Sequence, residues 1–278
     1  MRPAGAMPRG AVTLVWQTLR DFRKHLGHLM VITLFLYAVL AVPVAVSFVL
    51  VFFLIRGGSA WAGNLILLFL LPLVIPLCVG QSWAFLLVIQ RGSVKVREVL
   101  RPFCRLSIYL RVLVAGSVPA AGTGLVWLTS YLGGLCCPGP LLPEHPLVES
   151  LVRSLAAQML WLVVLPFTFA GLHVLVTGCL ARQALAGSLR FCLRHWPLLV
   201  GYAVVFTLGW LPISATVPLL SAVSQSTQGA GACALALVPL VWSVLVVTVY
   251  MFLTLLNAEF YREFVWRERE AGRLAAGA

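Results

Sequence analysis

From Leu19 to Arg56 the chain reads LRDFRKHLGHLMVITLFLYAVLAVPVAVSFVLVFFLIR. A basic stretch with helical periodicity leads into residues 29–55, an apolar run without a single charged residue. Crossing a hydrocarbon core of ~30 Å takes about 20 helical residues at 1.5 Å each, so the run is long enough to span a membrane. Five further runs follow at 61–89, 106–135, 155–180, 197–223 and 233–258. The expected fold is all-α, a polytopic membrane protein with six transmembrane helices arranged as three hairpins. Each hairpin is expected to follow an amphipathic, basic helix at the cytoplasmic interface.

The distribution of charge gives an orientation. Threading the runs alternately places the N-terminus, 90–105, 181–196 and the C-terminal tail on one face. All but two of the twenty Lys and Arg residues belong to that face, the exceptions being Arg56 and Arg153. Basic residues are retained on the cytoplasmic side, so both termini are expected there, in a bacterial cytoplasmic membrane. The chain is 61% hydrophobic and 10% charged, whereas soluble domains carry about 25% charged residues. Little is left for a separate soluble domain, and a single membrane domain over 1–278 is expected. The first apolar run starts late and is too long for a cleavable signal peptide. The net charge of +12 would suggest nucleic acid in a soluble protein. Beside apolar spans it points to anionic lipid headgroups, and no nucleic-acid partner is expected.

Seven cysteines form no metal or disulfide spacing. Cys78 and Cys179 fall in spans, and Cys104 and Cys192 on the reducing cytoplasmic side. For Cys136, Cys137 and Cys233, at outer span ends, one disulfide is conceivable.

Three cytoplasmic strings resemble one another. Leu19-Arg20-Asp21-Phe22-Arg23-Lys24 precedes the first span, Leu100-Arg101-Pro102-Phe103-Cys104-Arg105 the third, and Leu189-Arg190-Phe191-Cys192-Leu193-Arg194 the fifth. Recurrence at a roughly constant interval suggests a repeated unit, here a basic helix and a hairpin. Residues 11–27 form the first interfacial helix, with Val12, Val15, Trp16, Leu19, Phe22 and Leu26 on its apolar stripe. Val96, Val99, Leu100 and Phe103 form the second stripe, with Pro102 expected to end or bend that helix. Leu185, Leu189, Cys192 and Trp196 form the third. Helices of this kind lie in the headgroup plane. Arg20, Arg23, Lys24, Lys95, Arg97, Arg101, Arg105, Arg190 and Arg194 are therefore the candidates for lipid-headgroup contact or partner docking. The tail 259–278 is expected to continue the sixth span into the cytoplasm as a solvated helix.

Ionisable residues inside a membrane are costly and mark functional candidates. Arg111 and Glu259 lie close enough to interfaces to reach headgroups or water. Counting helical rise from the inner span ends puts Gln81, His173 and Tyr250 at one depth in the inner leaflet, a candidate polar cluster. Hydrogen bonds among them would join helices or contact a headgroup or substrate. No carboxylate falls at mid-span, which argues against a proton- or sodium-coupled transporter. The chain holds no H-E-x-x-H, G-x-S-x-G or Walker lysine, and neither cofactor, metal nor catalysis is expected. Gly122 and Gly124 suit close helix packing. Pro43, Pro72, Pro76, Pro119, Pro166, Pro212, Pro218 and Pro239 interrupt the spans, as ordinary helix bundles tolerate.

Arg91-Gly92-Ser93-Val94-Lys95-Val96-Arg97-Glu98-Val99-Leu100, followed by Phe103 and Arg105, resembles a cytoplasmic motif of a bacterial membrane family. That family includes the membrane domain attached to some glycerophosphodiester phosphodiesterases. Ala184-Leu185 with Ser188, Leu189, Arg190 and Trp196 is similar to its segment before the fifth span. The resemblance implies six-span architecture and carries over no phosphodiesterase activity, because the catalytic domain has no counterpart here. The expected function is a non-enzymatic accessory, scaffold or lipid-interacting membrane protein. The alternative is the permease subunit of an ABC-type exporter, with 91–105 as its coupling helix on a separate cytoplasmic ATPase.

Overall fold

The computed structural model describes residues 10–56, 60–136, 164–209 and 232–276. Every element among them is helical: α1 Ala11–Arg56, α2 Ala60–Arg91, a 3-10 segment Val96–Cys104 and α3 Leu106–Cys136. A 3-10 turn Leu165–Phe167 then leads into α4 Ala170–Thr177 and α5 Ala181–Arg194. Helix α6 covers Trp196–Gly209, and α7 covers Ala232–Ala276.

Among the described residues, three helices have stretches long and apolar enough to cross a membrane, Ala11–Ser47, Leu70–Arg91 and Ser243–Val265. Two bent pairs raise the number to five if each is one span. Val96–Cys104 turns 96° into Leu106–Gly122, and Ala181–Arg194 turns 96° into Trp196–Gly209. Parts of the expected fourth and fifth spans, and the outer connections with Cys137, lie outside the described residues. Large apolar side chains face outward along the helices, among them Leu34, Val42, Val46, Val114 and Val204. An apolar exterior of this extent belongs in lipid, because a soluble monomer keeps such patches small.

Residues 11–27 are not a separate interfacial helix. Nothing in Leu26-Gly27-His28 stops helical hydrogen bonding, and α1 runs through for 46 residues, about 69 Å by helical rise. Its N-terminal half packs antiparallel to α7, which is 45 residues long. Gln17 meets Glu259, and Phe22 sets its ring edge on Phe252 at 5.9 Å. Helix α2 packs against α1, α3, α4 and α7 and contributes Leu77, Phe85 and Val88 to the core. Leu29, Ile32 and Leu36 of α1 join them, as do Leu256, Phe260 and Phe264 of α7.

The expected second interfacial helix is a 3-10 segment, folded back along α2. A Cβ on Gly80 would overlap the Val99 carbonyl and stand 3.2 Å from Pro102 Cδ. Only glycine permits this approach. Pro102 lies buried within the segment, which ends two residues later at Cys104, before the chain turns into α3.

Candidate functional site

Tyr250, on α7, donates its hydroxyl hydrogen to Gln81 Oε1 of α2 at 2.8 Å. Gln81 Nε2 donates in turn to Thr33 Oγ1 of α1 at 2.9 Å. Gln81 and Thr33 are wholly buried, so one amide satisfies both its functions and ties three helices in register. Hydrogen bonds of this kind contribute about 0.6–2 kcal/mol each inside a membrane.

His173 belongs to a different place. Its Nδ1 shares a hydrogen bond of 2.9 Å with the Tyr261 hydroxyl, and its ring stands edge-on to Phe191 at 5.2 Å. Tyr261 is eleven residues past Tyr250 on one continuous helix, about 16 Å along its axis. The shared depth expected for Gln81, His173 and Tyr250 therefore fails for His173. That depth requires an unbroken span up to Ala181, but α4 ends at Thr177 and Gly178 takes a left-handed φ of 71°. Arg111, expected to reach the headgroups, donates instead to the Gly178 carbonyl at 2.6 Å and caps that helix end.

All nine candidate cations of the three basic segments are exposed. The opposite faces of those segments are not. Val99 and Pro102 are buried in the second, and Ala184, Ser188, Phe191 and Cys192 in the third. Arg101 lies over the Trp83 ring, 4.7 Å from its centroid, and pairs with Glu98 at 3.4 Å. Trp83 Nε1 donates to the same Glu98 carboxylate. Arg194 pairs with Glu268 at 3.3 Å, while His195 Nε2 stands 3.7 Å from its other oxygen. Arg20 lines a groove of about 360 Å³ on α1, together with Thr13, Trp16, Gln17 and Asp21. Arg23, Lys24, Lys95, Arg97, Arg105 and Arg190 occupy the same exposed faces.

The lower part of α7 holds what residue-by-residue reading missed. Glu259 is fully buried, with Gln17 Nε2 at 3.5 Å and Arg262 at 2.5 Å. It does not reach water. Glu263, one turn on, is 4% exposed and pairs with Arg267 at 3.3 Å. Tyr261 and Phe264 are buried beside them, so this length of the expected solvated tail is packed protein. The signal was available: Leu253, Leu256, Phe260 and Phe264 keep one apolar stripe across the expected span boundary.

Burial pushes the His195 imidazole below its ordinary value, with Arg267 and Arg194 adding to the effect and Glu268 and Glu263 opposing it. Among the described residues, no group of three or more His, Cys, Asp or Glu could hold a metal ion. The geometry thus offers interhelical hydrogen bonds, buried ion pairs and an exposed basic surface. Compared with family models, with curated proteins and with solved structures, the chain matches none.

Proposed function

We propose that this protein is a non-enzymatic, lipid-interacting accessory protein of a bacterial cytoplasmic membrane. In this reading six spans form three hairpins, with both termini cytoplasmic and the basic segments facing anionic headgroups. The observation that carries it is the two-sidedness of those segments. One face of each is buried against α7, α2 or α4, through Leu14 and Thr18, Val99 and Pro102, and Ser188, Phe191 and Cys192, while all nine cations remain exposed. A basic surface held near apolar spans attracts anionic lipid by about 1 kcal/mol per Lys or Arg. The polar groups inside are engaged with one another: Gln81 with Tyr250 and Thr33, His173 with Tyr261, Glu259 with Gln17 and Arg262. That arrangement suits a packed scaffold better than a reaction centre. The resemblance of 91–105 to the membrane family named above supports the same architecture.

The test is purification of the full chain from its own cells in mild detergent, with lipids and proteins identified by mass spectrometry. Enrichment of phosphatidylglycerol or cardiolipin over phosphatidylethanolamine is expected. A near-stoichiometric P-loop ATPase, without lipid enrichment, would replace this function with that of an exporter permease.

A further inference from the structure

The three basic segments carry two cations in one register. Arg20 and Lys24 follow Leu19, Arg101 and Arg105 follow Leu100, and Arg190 and Arg194 follow Leu189. The seats of these segments repeat as well. The second rests on α2, with Val99 and Pro102 against Gly80. The third rests on the chain leading into α4, where Ser188 donates its hydroxyl hydrogen to the Pro166 carbonyl and Cys192 approaches it at 3.8 Å. The first rests on α7, with Phe22 against Phe252.

Gly80 and Pro166 each stand twelve residues before a left-handed glycine, Gly92 with φ 79° and Gly178 with φ 71°. Both glycines donate their N–H to the carbonyl four residues back, Val88 or Val174, at 2.8 Å. This is the αL helix stop. Two residues after Gly80, Pro166 and Phe252 come Ser82, Thr168 and Thr254. Their hydroxyls bond back to the carbonyls of Cys78, Leu165 and Tyr250. The second and third segments leave through the same 96° turn. Each segment thus packs on the inner end of one returning helix, and the first closes the circle by packing on the last.

We propose that the segments form one pseudo-threefold ring, in which each cation pair docks one anionic phospholipid headgroup. This rests on the lipid-interacting reading above. Charge complementarity selects a phosphate-bearing partner. Arg101 and Arg194 have carboxylate partners, Glu98 and Glu268, yet each pair keeps a cation without one among the described residues. Exposed apolar side chains beside the pairs select a lipid as the carrier of that phosphate. Trp16 flanks the first pair, Leu106 the second, and Leu193 with Trp196 the third, each at least 63% exposed. Tryptophan at a polar–apolar boundary is the ordinary membrane-interface anchor.

The experiment is native mass spectrometry of the full chain titrated with phosphatidylglycerol, and with phosphatidylethanolamine as reference. Three phosphatidylglycerol molecules retained in preference are expected. Arg20→Gln/Lys24→Gln, Arg101→Gln/Arg105→Gln and Arg190→Gln/Arg194→Gln should each lower that number by one. The first pair makes no described ion pair, so it carries the test if the Glu98 or Glu268 partnership proves necessary for folding. Unequal losses, or none, in a protein that still prefers phosphatidylglycerol would overturn the ring while sparing the lipid reading. Equal retention of both lipids by the unaltered chain would overturn the lipid reading itself. Displacement of phosphatidylglycerol by millimolar inorganic phosphate would mark a small-anion site and overturn lipid docking.

Discussion

Gly80→Ala adds one methyl group at the point where the 3-10 segment meets α2, and the structure makes the outcome calculable. The new Cβ would overlap the Val99 carbonyl oxygen and press on Pro102 Cδ at 3.2 Å. Neither obstacle can rotate away, since one is backbone and the other a closed ring, and both residues are buried. Overpacking costs about 1–3 kcal/mol, and a backbone obstacle belongs at the upper end. Replacing glycine by alanine in a helix returns about 0.5–1 kcal/mol. The net expectation is a loss of about 2 kcal/mol. Two comparisons isolate the cause. At Gly27, in α1, an added Cβ meets nothing within 4 Å, so Gly27→Ala should be neutral or stabilising. At Gly171, in α4, it meets a Val79 methyl at 2.6 Å, a side chain that can shift, so the cost should fall between the two. Thermal unfolding of the full chain in detergent, followed by thiol exposure, ranks the three. A Gly80→Ala protein as stable as Gly27→Ala would refute the seating of the segment on α2.

Gln81→Leu removes both of its bonds and leaves Tyr250 and Thr33 without that partner, so it should cost about 2–3 kcal/mol; Tyr250→Phe should cost about 1 kcal/mol by the same assay. Arg111→Leu exposes the Gly178 carbonyl and forfeits a charge-assisted bond, about 1.5–3 kcal/mol, read as faster hydrogen exchange at the end of α4. Glu259→Ala should destabilise more than Glu268→Ala, because Glu259 is fully buried with Arg262 against it while Glu268 is 23% exposed. His195 binds its proton less readily when folded than its ordinary pKa of 6.5 allows. The unfolded chain therefore takes up more protons as pH falls through that value, so stability is full above it and declines below. His195→Gln should flatten the change in melting temperature between pH 7.5 and 5.5, and an unaltered slope would assign the effect elsewhere.

What could be read from the chain was whatever depends on composition and period. Long uncharged runs must be helical in lipid because no other local structure satisfies the backbone there. Each basic segment does bury one side, but the stripe read from spacing is not always the buried one: Val99 is buried as expected in the second, whereas the third buries Ala184, Ser188, Phe191 and Cys192 and leaves Trp196 exposed. The same arithmetic failed wherever a helix was assumed to stop or continue without a local cause. Residues 11–27 and 29–55 look like two elements because hydropathy changes at His28, yet hydropathy does not break backbone hydrogen bonds, and α1 continues. Span four looks like one element because its hydropathy is uniform, yet the 3-10 turn at Pro166 and the left-handed Gly178 bound a helix of only eight residues.

Glu259 shows why charge misleads near a span end. A carboxylate next to an apolar run is assigned to water because burial of a lone charge is costly. Here the cost is met locally, by Arg262 one turn on and by Gln17 from α1. The partner on α1 is present only because residues 11–27 extend the same helix alongside α7. The unbroken α1 and the buried Glu259 are therefore one fact seen at two positions, while Tyr261 and Phe264 are packed from another side by Phe169, His173 and His195. A break in α1 at Gly27 would leave Glu259 without its Gln17 partner, whereas Tyr261 and Phe264 would keep that cover. The basic residues Arg20, Arg23 and Lys24 face outward for the same reason: Leu14, Thr18 and Phe22 on the other side of the helix are committed to the core formed with α7.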